Sequence, residues 1–110
     1  MAKKALTAIQ RSAKGEDCTF NLHSCSHNPE QTVLCHDTRY VEGSERKHDL
    51  RATYGCLECH SLMDGNYMIK HKHGYEWGRA IAKTHVKLLD KGLITITGVE
   101  HKPSKILPRN

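Results

Sequence analysis

Four of the five cysteines fall into two pairs, Cys18 with Cys25 and Cys56 with Cys59, that lie far apart in the chain. No other feature constrains the fold as strongly. With 110 residues, one Trp and one Phe, the chain forms one domain with a thin core, burying roughly two thirds of its unfolded surface. A cross-link between the two cysteine clusters would compensate. Four thiolates offer zinc a closed tetrahedral site. Such a site contributes on the order of 10 kcal/mol to folding. The C-x-x-C pair is the specific half. The Cys18/Cys25 spacing is looser, and His23 or His27 could replace one thiolate. The fifth cysteine, Cys35, lies in an apolar stretch and reads as core.

The stretch "CLECH" (56 to 60) also fits the C-x-x-C-H box that attaches a c-type haem. That attachment usually occurs outside the cytosol. The N-terminus "MAKKALTAIQRSAKG" has no apolar run of the kind a secretory signal needs. Haem would also leave Cys18 and Cys25 unexplained, so no haem is expected. No segment approaches the roughly 20 apolar residues of a membrane span, and no membrane partner is expected. A cytoplasmic location follows as the expectation, and there clustered cysteines read as metal ligands before disulfides.

The net charge is +5, which suits a nucleic-acid partner, with simple solubility as the plain alternative. Basic residues mark both ends, so residues 1–14 read as a basic N-terminal segment and 98–110 as a flexible basic tail. Between them, 15–97 reads as the folded domain. A short basic helix is expected over 3–13. "TVLCH" (32 to 36) reads as a strand, 37–49 as a polar loop and "LRATYG" (50 to 55) as a second strand. "CLECHSLMDG" has helical character, with Gly65 suited to end the helix. The clearest helix spans 75–92, with Trp77, Ile81, Leu88 and Leu89 near one face and Gly92 as a stop. "LITIT" (93 to 97) reads as a short strand or an extended segment.

In "CLECHSLMDG", His60 and Asp64 stand four apart and share one face of a helix. An imidazole and a carboxylate with open positions suit Mg²⁺, Mn²⁺ or a catalytic Zn²⁺. The plain alternative makes His60 exposed or an aid to the zinc site, and Asp64 a solvated cap.

"GEDC", Cys25, "NPEQTVLCH", "KHDL" and "CLECHSLMDG", in that order, resemble the ββα-metal fold of the HNH, or His-Me finger, nucleases. The resemblance covers about residues 15–66 and is strongest to small phage and prophage nucleases. It implies an α+β fold: a small ββα-metal core stapled by a zinc site of four cysteines, with flanking helices. It implies a metal-dependent endonuclease acting on DNA phosphodiesters, in the cytoplasm of a bacterial host. His36 becomes the general base, Asp49 takes about the place of the family's middle Asn, and His60 with Asp64 holds the catalytic ion. Cys35 stands where many relatives have an Asp or His ligand; either its thiolate binds the ion or the ion has His60 and Asp64 alone. A related phage nuclease acts with a recombinase filament, which adds that filament as a conceivable partner. Arg39, Arg46, Lys47, Arg51, Lys70 and Lys72 flank the site and are candidate phosphate contacts. A non-catalytic zinc module that binds nucleic acid or protein accounts for the cysteines and the charge equally well, but has no need of His36, His60 and Asp64.

Overall fold

The computed structural model describes residues 6–23, 25–64 and 67–103. Its centre is a two-stranded antiparallel sheet. β1 (Thr32–His36) pairs with β2 (Ala52–Cys56), with Thr32 opposite Cys56, Leu34 opposite Tyr54 and His36 opposite Ala52. β1 forms where β-branched and apolar residues cluster, directly after Pro29–Gln31, a 3-10 turn capped by the Asn28 side chain.

β2 begins two residues later than its pattern suggests. Asp49–Arg51 form a 3-10 turn instead, held by the Leu50 N–H donating to His48 Nδ1 at 3.1 Å. Every residue of β2 is buried. Packing covers both faces, so the polar Thr53 is as fully buried as Ala52 and Tyr54.

Three helices follow: α2 (Leu57–Met63), α3 (Tyr67–Lys72) and α4 (Gly74–Asp90). Before them in the chain, α1 (Ala8–Arg11) is the helical part of the basic segment among the described residues. Thr7 and Gln10 cap it reciprocally through side chain and backbone. Two residues past the end of α4, Gly92 takes a φ of 71°; its N–H reaches the Leu89 carbonyl while Leu93 N–H reaches Leu88. This left-handed closure is the role expected of Gly92. Gly65, the expected stop of α2, lies outside the described residues.

The sheet separates two apolar clusters. Phe20, Cys35, Cys56, Cys59, Met63, Trp77 and Ala80 form the first, with Phe20 and Trp77 edge-to-face at 5.0 Å. Ala13, Tyr54 and Leu88 form the second, with Ile9, Leu34, Leu93 and Ile94 packed on it. Ile9 and Ala13 before residue 15, and Leu93 and Ile94 just after α4, are therefore packed into the fold. Residues 93–97 form no strand. Residues 98–103 have no helix or strand, but His101 Nε2 lies 2.7 Å from Asp90 Oδ1. A buried hydroxyl chain, Thr19–Thr53–Thr84, ties α4 to β2, and Thr84 Oγ1 accepts the Tyr54 N–H at 3.0 Å. Among the described residues no helix is long and apolar enough to cross a membrane.

Gly55 sits where the sheet meets the first cluster. A Cβ there would lie 2.8 Å from Cys35 Sγ and 2.9 Å from Phe20 Cδ2. Both neighbours are fully buried, so neither has room to yield. Gly55→Ala is expected to destabilise the protein by about 1–3 kcal/mol, read as a lower melting temperature. An unchanged temperature would mean the cluster is looser than its contacts indicate.

Candidate functional site

The long loop before β1 carries Cys18 and Cys25, and the β2–α2 junction carries Cys56 and Cys59. Folding brings all four Sγ atoms within 4.8 Å of one another. Cys25 Sγ and Cys56 Sγ are 3.8 Å apart. Zn–S bonds of about 2.3 Å in a tetrahedron require S–S edges of about 3.8 Å, so the cluster fits a metal such as zinc. His23 and His27 are exposed and do not join it. The backbone is arranged for thiolates. Cys56 is the N-cap of α2, and its Sγ accepts N–H bonds from Cys59 at 3.3 Å and Ser26 at 3.5 Å. Cys25 Sγ accepts the His27 N–H at 3.4 Å. Burial opposes ionisation of Cys56, but the Cys59 and Ser26 donors outweigh it and bring the thiol down to about 6. Burial pushes Cys25 up to about 11 and Cys59 upward as well. One ready thiolate among resisting neighbours is a set that a cation completes, because its charge favours ionisation of the rest. Cys35 stays outside this group, fully buried in the first cluster.

His36 ends β1, and its imidazole is 22% exposed. Its Nε2 lies 3.0 Å from Asp49 Oδ1. Asp49 in turn accepts from Thr7 Oγ1 at 2.8 Å. Burial raises the Asp49 carboxyl, but the bonds from His36 and Thr7 outweigh it and hold the group below the usual carboxylate range. An ionised Asp49 makes Nε2 the protonated nitrogen and leaves Nδ1 as the acceptor. No hydrogen bond occupies Nδ1 among the described residues.

His60 and Asp64 close α2, where the Asp64 N–H reaches the His60 carbonyl at 2.8 Å. His60 is half-buried and the Asp64 side chain is 48% exposed. Lys70 approaches from α3. Its Nζ donates to Thr38 Oγ1 at 2.9 Å and lies 3.7 Å from Asp64 Oδ1.

Comparison with known proteins decides the family. The family model described as "Putative nuclease YbcO" matches residues 7–92. The chain belongs to the YbcO nuclease family. A solved structure of a "putative bacteriophage protein" from Escherichia coli strain K-12 substrain MG1655 is similar to it, with a TM-score of 0.54 and 29% identity. The alignment covers 76% of this chain and 98% of that one. No curated protein matches the chain. The family model describes its members as nucleases, and the similar solved structure is described as that of a bacteriophage protein.

The candidate phosphate contacts divide once this YbcO-family chain is folded. Arg46, Lys47 and Lys72 are exposed. Arg39 is committed internally: Nε and Nη2 donate to Asp37 at 2.9 and 2.8 Å, and the guanidinium lies 5.7 Å from the Trp77 ring centroid. Arg51 is half-buried, with Nη2 donating to the Arg39 carbonyl at 3.1 Å. Sequence reasoning overlooked Thr7, which bonds Asp49, and Asp37, which clamps Arg39. A local signal existed for Asp37, since an Asp two residues before its partner favours the side-chain turn seen here, with Arg39 N–H donating to Oδ1 at 3.0 Å. Thr7 and Asp49 are far apart in the chain and had none.

The Asp37–Arg39 pair is nearly buried, with side chains 5% and 13% exposed. Burial raises Asp37, but the Arg39 bonds outweigh it and hold the carboxyl below its ordinary value. Removing the charge leaves Arg39 unpaired, so Asp37→Asn is expected to destabilise the fold by about 3 kcal/mol at neutral pH. A lowered folded value means stability that is present above the ordinary pKa of about 3.9 and lost as pH falls through the folded one. The acid limb of an unfolding titration below about pH 4 should be shallower in the variant than in wild type. Parallel limbs would assign the acid sensitivity to another carboxylate.

Proposed function

We propose that this protein is a metal-dependent endonuclease of the HNH type that hydrolyses DNA phosphodiesters, with His36 as general base. The observation that carries the reading is the His36–Asp49 pair at 3.0 Å, at the end of a strand–strand–helix unit whose helix bears His60 and Asp64. His36 Nδ1 takes a proton from the water that attacks phosphorus. Asp49 accepts the Nε2–H bond, fixes the tautomer and stabilises the imidazolium that forms. A half-buried imidazole and an exposed carboxylate one helical turn apart fit a hard divalent ion that keeps several waters. When held there, such an ion (Mg²⁺, Mn²⁺ or Zn²⁺) supplies electrostatic stabilisation to the charge on the phosphate and the leaving 3′ oxygen. Arg46, Lys47 and Lys72 remain as surface cations for the phosphate backbone. The cysteine site binds zinc in a structural role. No observation adds weight to a recombinase filament, which stays outside the proposal.

Supercoiled plasmid and single-stranded circular DNA, incubated with Mg²⁺, Mn²⁺ or no added metal, test the reading. Metal-dependent nicking or linearisation is the expected result. Absence of cleavage in every metal, by a folded protein that still binds DNA, would favour the non-catalytic binding module.

A further inference from the structure

Tyr40 holds its backbone at φ 62°, in the left-handed region that bulky residues seldom enter, and it is 82% exposed. The fold gains little from this arrangement, because Gly or Asn would sit there with less strain. The ring is nevertheless oriented. It meets His71 edge-on, with centroids 4.7 Å apart at 87°, and the Arg39 guanidinium lies 6.0 Å from its centroid. Arg39 is itself held by the nearly buried Asp37. A strained, exposed and positioned aromatic ring suits contact with a molecule outside the chain.

Tyr40 lines an open cleft of about 740 Å³, with Thr38, Glu42, Glu45, Arg46 and Lys70 among its walls. That volume falls in the range of roughly 300–1,000 Å³ typical of sites for small ligands. The walls mix charges. Arg46 and Lys70 offer cations to a phosphate, while Glu42 and Glu45 offer acceptors to base amino groups and repel a continuous phosphate track. One nucleotide with its base out of the stack matches this mixture better than intact duplex. The cleft also borders the proposed site. Tyr40 lies four steps along the chain from His36, which limits their Cα atoms to about 14 Å apart, within a few nucleotide steps. Lys70 bridges from Thr38 toward Asp64.

We infer that the Tyr40 cleft binds an unpaired nucleotide of the substrate close to the scissile phosphate, its base stacked on the Tyr40 ring. The enzyme then acts on single-stranded or locally opened DNA. The inference rests on the nuclease reading for its substrate, but binding tests it apart from cleavage.

The experiment measures fluorescence anisotropy of a labelled single strand and of its blunt duplex with the His36→Ala protein, alone and combined with Tyr40→Gly or Tyr40→Phe. Tyr40→Gly relieves the left-handed strain, so its melting temperature should not fall and lost binding is not unfolding. Loss of one stacked base should weaken single-strand binding by about 5- to 150-fold. Duplex binding should stay within about twofold, as should single-strand binding by Tyr40→Phe, which keeps the ring. Equal single-strand affinity with and without the ring overturns the inference and leaves Tyr40 as a surface for a protein partner. Equal losses on both DNAs, or a Phe variant as weak as Gly, overturn it too. Tyr40-dependent binding beside a wild type that cleaves nothing would uphold the subsite and sink the nuclease reading. Cleavage that needs His36, with binding indifferent to Tyr40, would do the reverse.

Discussion

With zinc in the four-cysteine site as proposed, removing it with a strong chelator, or replacing Cys59 with Ala, is expected to unfold the protein. The four thiols join the loop that carries Cys18 and Cys25 to the strand–helix junction that carries Cys56 and Cys59. Cys56 and Cys59 are also central members of the first apolar cluster, beside Phe20, Met63 and Trp77. Metal loss therefore leaves thiolates inside that cluster, or forces them to protonate there. A site of this kind contributes on the order of 10 kcal/mol to folding, whereas a domain of this size holds a margin of about 5–15 kcal/mol in total. The effect should appear as loss of the cooperative thermal transition and of near-ultraviolet dichroism, with about one zinc released per chain. Cys35→Ala is the matched control. It removes a buried thiol of the same cluster without touching the metal, so zinc content should stay at one per chain. A chelated protein that keeps its transition would remove zinc from the fold's support.

His36→Ala is expected to lower metal-dependent DNA cleavage by about 10²–10⁴-fold, the usual contribution of a positioned general base. That loss corresponds to about 3–5 kcal/mol of transition-state stabilisation. The fold should survive, because His36 is the last residue of β1 and its imidazole is partly exposed. Binding to uncleaved DNA should change little, since the imidazole is uncharged in its role as base. Asp49→Asn should act in the same direction. The amide oxygen can still accept the Nε2–H, but the charge that stabilises the imidazolium is gone. A His36→Ala protein that cuts at the wild-type rate would move the base elsewhere. A parallel loss of binding and melting temperature would instead make His36 a structural residue.

The parts of this molecule legible in its sequence are those that local chemistry settles. "TVLCH" is a strand with the expected bounds because its side chains favour a pleated, half-buried surface and Pro29 precedes it. α2 and α4 follow from helix formers and from Gly92, which closes α4 in the left-handed conformation. His36 at a strand end, the helical spacing of His60 and Asp64, and the C-x-x-C pair need only neighbours in the chain to be noticed.

The remaining features are decided between segments that are distant in sequence. Burial covers both faces of β2, polar Thr53 included, and a 3-10 turn takes over the strand's expected first residues. Arg39, a candidate phosphate contact by its charge, is enclosed by Asp37 and Trp77. By spacing alone His23 and His27 were possible ligands, until the loop geometry turned them outward and set Cys18 and Cys25 against Cys56 and Cys59. The sequence by itself determined which residues could carry chemistry, because residue type and short-range spacing are written along one dimension. Only the tertiary structure decided which of them meet: the four sulfurs, His36 with Asp49, and Asp49 with Thr7. The physical reason is that a contact across many residues exists only once the packing of the whole chain compensates the entropy of closing the loop.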